Sequence, residues 1–188
     1  MTVPSIVTTA ASLLLTVTSA GLALPRAKPS TPLSEFTLAI REYAALHRRL
    51  EQKLPQLRVS SDPSDATAAS DALASALRSA RANAREGDIF APDISELLRT
   101  RIAETLCSHG FLPDELVAAN LFEADEGAAI PVVNGRFPWG RGAAMWPCII
   151  EALPRLPNEL EYRMVGADLI LLDMHADLVV DILRNAVR

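Results

Sequence analysis

The sequence predicts an α+β protein: about four antiparallel N-terminal helices packed on a C-terminal three-stranded antiparallel β-meander. Three observations carry this expectation. Between residues 33 and 122 apolar side chains recur at spacings of three and four, in runs that open on Pro32, Pro63, Pro92 and Pro113. After Gly127, Gly and Pro become too dense for a long helix. Beyond residue 159, three short apolar runs are separated by turn residues, Gly166-Ala167 and Asp173 to Ala176. With 188 residues, 49% of them hydrophobic and 22% charged, the chain can bury a core without metal or partner and is too apolar for wholesale disorder. A net charge of −5 argues against a dedicated nucleic-acid binder, since no phosphate-gripping surface follows from it.

The chain begins with a segment that reads as an address. From Met1 to Pro25 there is no ionisable side chain, and the apolar stretch Ala11 to Leu24 has the length of a secretory h-region. Thr18 with Ala20, or Gly21 with Ala23, supplies the small residues a signal peptidase requires, so residues 1–23 read as a signal peptide. The alternative is a retained inner-membrane anchor over Val3 to Leu24, with Arg26 and Lys28 behind it. Lys28 and Lys53 are the only lysines among 18 basic residues, and Ala is abundant, as in a high-GC bacterial genome. The expected address is periplasmic or secreted, with membrane contact only through an uncleaved leader.

Residues 24–32 form a Pro-rich spacer, and residues 33–188 a single domain with a helical part (33–124) and a loop plus meander (125–188). Thr31 and Pro32 make an N-cap and N1 pair. Leu33, Phe36, Ile40, Tyr43, Leu50, Leu54 and Leu57 then form a heptad seam in which His47 fills the one missing slot. That seam suits a helical hairpin or self-association through residues 33–57. Asp62 and Pro63 open an Ala-rich second helix running to Glu86, with Gly87 as its stop. Pro92 opens a third, striped by Ile94, Leu97, Leu98, Ile102 and Leu106 and ending at Gly110; Pro113 opens a fourth through Phe122. Pro147 starts a one- or two-turn helix to Leu153. The strands are Leu160 to Val165, Asp168 to Leu172 and Leu178 to Leu183, with Leu160, Tyr162, Met164, Leu178, Val180 and Ile182 expected on a single buried face.

Several runs in the second half resemble a group of uncharacterised exported bacterial proteins. They are Val133-Asn-Gly-Arg-Phe-Pro-Trp139, Met145 to Pro147, Leu153-Pro-Arg-Leu-Pro-Asn-Glu-Leu-Glu-Tyr-Arg-Met-Val-Gly-Ala-Asp-Leu-Ile-Leu-Leu-Asp173 and Asp177-Leu-Val-Val-Asp181. Gly87-Asp-Ile-Phe90 is similar to the middle of the same group. The resemblance covers most of residues 80–185. It implies export and a shared fold, and it carries over no catalytic residue.

Candidate chemistry is sparse. Asp173-x-His175-x-Asp177 would, if extended, point two carboxylates and an imidazole to one face, as a metal or acid/base site requires; as a turn, it would use its Asp residues for backbone hydrogen bonds. Arg136, Trp139, Arg141 and Trp146, with Phe137, form a loop able to clamp a planar or anionic partner, or alternatively to cover the meander. Cys107 and Cys148 allow a single disulfide, or serve as small buried side chains. His47 would fix register in its seam and His109 would sit at a helix end. Gly135, Gly140 and Gly142 lack the context of a phosphate loop, so no cofactor is expected. The expectation is therefore an exported, non-enzymatic binding or envelope-interaction protein with an unknown protein, peptide or glycan partner. The alternative is a small hydrolase or metal-binding protein centred on Asp173, His175 and Asp177.

Overall fold

The computed structural model describes residues 30–55, 62–122, 129–139 and 145–187. The leader, most of the spacer, Leu57, Gly140, Arg141 and Gly142 lie outside the described residues. The elements run α1 (Pro32–Glu51), α2 (Pro63–Ala80), α3 (Pro92–Ser108), α4 (Pro113–Phe122), α5 (Pro147–Ala152), β1 (Leu160–Val165), β2 (Asp168–Asp173) and β3 (Leu178–Leu183). The α+β class with a C-terminal meander is as the sequence predicts: β1, β2 and β3 pair in order, antiparallel throughout. Among the described residues no helix is long and apolar enough to cross a membrane.

The helix starts follow from local chemistry. Thr31 caps α1 in a capping box, its hydroxyl accepting from the Ser34 N–H at 3.2 Å while Ser34 Oγ accepts from the Thr31 N–H at 2.8 Å. Asp62 caps α2 through Ser64 N at 2.9 Å. The helix ends differ from expectation. α1 stops at Glu51 rather than running to residue 57, because Pro55 disfavours a helical Leu54, and the chain closes instead with a Leu54 N–H to Glu51 carbonyl bond of 3.1 Å. α2 stops at Ala80 rather than Glu86. Asn134 Nδ2 donates to the Arg81 carbonyl at 2.8 Å, while the Arg81 guanidinium reaches the Val180 carbonyl at 3.0 Å.

The helices cover one face of the sheet. Phe36, Ile40, Tyr43, Leu73, Leu77, Ile94, Leu98, Ile102, Leu106 and Leu116 form one core with Leu160, Tyr162, Met164, Leu169, Leu171, Leu178 and Val180. Of the α1 seam, Phe36, Ile40, Tyr43 and His47 are buried within the chain, while Leu33, Leu50 and Leu54 are partly buried. The meander, however, is buried on both faces and not on one. Phe137, Val165, Ile170, Leu172, Val179 and Ile182 form a second core on the far side, sealed by the 133–139 loop, which pairs with β3 through Asn134 N to Val179 O (2.8 Å) and Val179 N to Gly135 O (2.9 Å). Ile182 belongs to that far face and not with Leu178 and Val180. The register shifts between Leu171 and Leu172, so that Leu171 faces Asp181 while Leu172 faces Val179, and Val180 is the extra residue of a bulge that resets the alternation. The same reset aims Asp181 at the helical side. There its buried carboxylate accepts the backbone N–H groups of Gly87, Ile89 and Phe90 at 2.7–2.8 Å, and that of Ile182 at 2.8 Å.

Candidate metal centre

The last turns of α1 and the β2–β3 turn meet around a buried Asp–His pair. His47 and Glu51 stand one helical turn apart and therefore share a face. His47 is fully buried, and its Nδ1 donates to Asp173 Oδ2 at 2.6 Å. Tyr43, one turn earlier, donates its hydroxyl to the same oxygen at 2.7 Å. The other oxygen, Oδ1, accepts from His175 N at 3.1 Å and Ala176 N at 3.0 Å, the self-bonding that shapes an Asx turn. Asp173 is thus both a turn former and the partner that fixes the tautomer of His47.

With Nδ1 committed, His47 presents Nε2, which makes no hydrogen bond and lies 3.5 Å from Glu51 Oε2. Glu51 Oε1 lies 3.0 Å from His175 Nδ1, and the two imidazoles meet edge-on at 5.2 Å between centroids. One donor atom from each of His47, Glu51 and His175 can be chosen so that all lie within 4.8 Å of one another. Burial works against a charged His47, but the hydrogen bond to Asp173 and the negative charges of Asp173, Glu51 and Glu159 outweigh it and hold the His47 pKa above its ordinary value. Burial, followed by the Asp173 charge and hydrogen bond, pushes Tyr43 far up, so its hydroxyl stays a donor. Glu51 and His175 open onto a groove of about 1050 Å³ between α1, α2 and the β2–β3 turn, lined also by Leu54, Ala66, Ala69, Leu73 and Met174.

Of the residues singled out in the sequence, Asp173 and His175 meet here while Asp177 does not. Asp177 adopts a left-handed conformation with φ 48°, and its carboxylate accepts from Arg136 Nε and Trp139 Nε1, both at 2.7 Å. Arg136 and Trp139 thus share one acceptor within the chain while both stay about half exposed; Trp139 also lies under the Arg163 guanidinium at 5.5 Å and against Phe137. Trp146 is remote from Trp139 in role, packing edge-on against Phe111 at 4.4 Å. Cys107 is exposed and Cys148 half-buried, and both are free thiols. His109 stacks on Phe111. The contributions of His47 and Glu51 escape sequence reasoning, although a His and a Glu at i and i+4 on one helix face were a signal available to find them.

No family model, no curated protein and no solved structure matches the chain.

Proposed function

We propose that the protein is an exported, non-enzymatic binding protein that holds a divalent transition-metal ion, zinc by its donor set, through His47 Nε2, Glu51 and His175. The observation that carries this is the buried His47, with one ring nitrogen held by a carboxylate and the other without a hydrogen bond and facing two further donors. A carboxylate behind a ligating imidazole is the usual outer-shell arrangement of such sites: it fixes the tautomer and raises ligand basicity. Two imidazoles and one carboxylate suit zinc, whose ligand bonds of about 2.0–2.2 Å need small movements to draw these atoms together. Export is supported by the uncharged leader with small-residue exits and by the resemblance of the second half to exported bacterial proteins. The metal site thus takes Asp173 and His175 from the sequence alternative, Asp173 in an outer position, and replaces Asp177 by His47 and Glu51.

The test is metal analysis after equilibrium dialysis of purified protein against micromolar zinc. One zinc per chain in the wild type, lost in His175→Ala and Glu51→Ala with the fold intact by circular dichroism, is the expected result. Zinc bound equally by the wild type and both variants, or by none of them, overturns the reading.

A further inference from the structure

Resting on the metal reading just given, we infer that the bound ion keeps one coordination position open to the groove and there takes the head group of a medium-chain carboxylate, whose alkyl body lies along α2. Two of the three donors, Glu51 and His175, line the groove, whereas His47 is buried behind them. An ion held by all three therefore has protein beneath it and the groove above. Three protein donors with a fourth position left for an exogenous ligand is the arrangement of open zinc sites.

The chemistry of the groove then selects the ligand. Counting its direct ligands, a zinc ion with two neutral imidazoles and the Glu51 carboxylate keeps one positive charge, and the Asp173 carboxylate behind His47 offsets it only from the outer position. Among the described residues lining the groove, the charged carboxylates are Glu51 and Asp65, and none is Lys or Arg. An anionic head therefore has the ion as its attractor and is repelled without it. Away from the ion the wall is mostly apolar, with Leu54, Ala66, Ala69, Leu73 and Met174 against the polar Gln52, Asp65 and Ser70, which favours a ligand with a hydrocarbon body over a sugar or a peptide backbone whose many polar groups would find few partners. At about 1050 Å³ the groove is at the upper end of the size that small-molecule sites use, ample for a chain of roughly eight carbons.

The test uses cobalt(II), which replaces zinc and reports its coordination in the visible spectrum. The cobalt-loaded protein is titrated with octanoate and, separately, with acetate; binding of labelled octanoate to the metal-free protein is measured by dialysis. The expected result is a saturable shift of the cobalt bands at one octanoate per chain, with acetate at least tenfold weaker and no octanoate bound without metal. Cobalt that binds but does not respond to octanoate overturns this inference and leaves the metal site standing. Acetate equal to octanoate means simple anion coordination, and equal octanoate binding with and without metal means a purely apolar groove; either result overturns it. Failure to bind cobalt at all removes both readings.

Discussion

Asp173 shows how one side chain can serve two structures at once. It latches the β2–β3 turn with one oxygen and holds Tyr43 and His47 with the other, and neither Asp173 nor His47 has any exposure to solvent. Removing it strands a buried phenol and a buried imidazole together, so Asp173→Ala is expected to cost about 3–5 kcal/mol in urea unfolding. Arg136→Ala should leave the melting temperature nearly unchanged, because that guanidinium is 58% exposed and its pairs with Asp177 and Asp71 are screened. His47 also gives the metal-free protein a pH signature. Its folded pKa is raised, so its contribution is fully present below the ordinary histidine value and is lost as pH rises through the folded one. Urea midpoints of wild type measured against His47→Gln from pH 5 to 9 should converge as pH rises through that window; a gap that widens would contradict the assignment. The Asp173-x-His175 pair is visible in the sequence because both readings of it, turn and site, use side chains two residues apart. Asp177 follows the turn reading of the same pattern, since a left-handed residue leaves the alternation that an extended segment would obey.

At the scale of elements, starts are more legible than stops. A Pro at N1 with a Thr or Asp before it acts within one turn, and the first residues of α1 and α2 follow from it. Stops depend on what arrives from elsewhere: α2 ends where Asn134, more than fifty residues on, takes the Arg81 carbonyl. The bulge in β3 is likewise unreadable from its own residues, because Leu178 to Leu183 is apolar enough at every position but Asp181 to fit either face. Its energetic consequence is direct. Val180 packs under the helices and Ile182 under Phe137. Val180→Ala is expected to cost about 1–3 kcal/mol, and Ile182→Ala about 2–4 kcal/mol. If the Ile182 change costs less than about 0.5 kcal/mol, the far face is open and the second core is wrong. Asp181→Ala should be more severe than Val180→Ala in the same assay, since it leaves the buried N–H groups of Ile89 and Phe90 without an acceptor.

The molecule joins a helix near residue 47 to a turn near residue 175, and the hairpin of β2 and β3 is what brings them together. The separation of 126 positions from His47 to Asp173 explains why the class of fold is legible in the sequence while the site is only half so. Periodicity reports faces and breaks, but it does not report which distant turn a helix end will meet. The helical layer places Tyr43, His47 and Glu51 successively along one stripe of α1, from core to groove, so the polarity of that stripe rises toward its C-terminal end. The most direct measurement is a crystal structure of the zinc-loaded protein with data collected at the zinc absorption edge. A single strong anomalous peak is expected within about 2.0–2.2 Å of His47 Nε2, a Glu51 oxygen and a His175 nitrogen, with Asp173 still on His47 Nδ1. A peak elsewhere, or one at which His47 keeps its free nitrogen turned away, would contradict it.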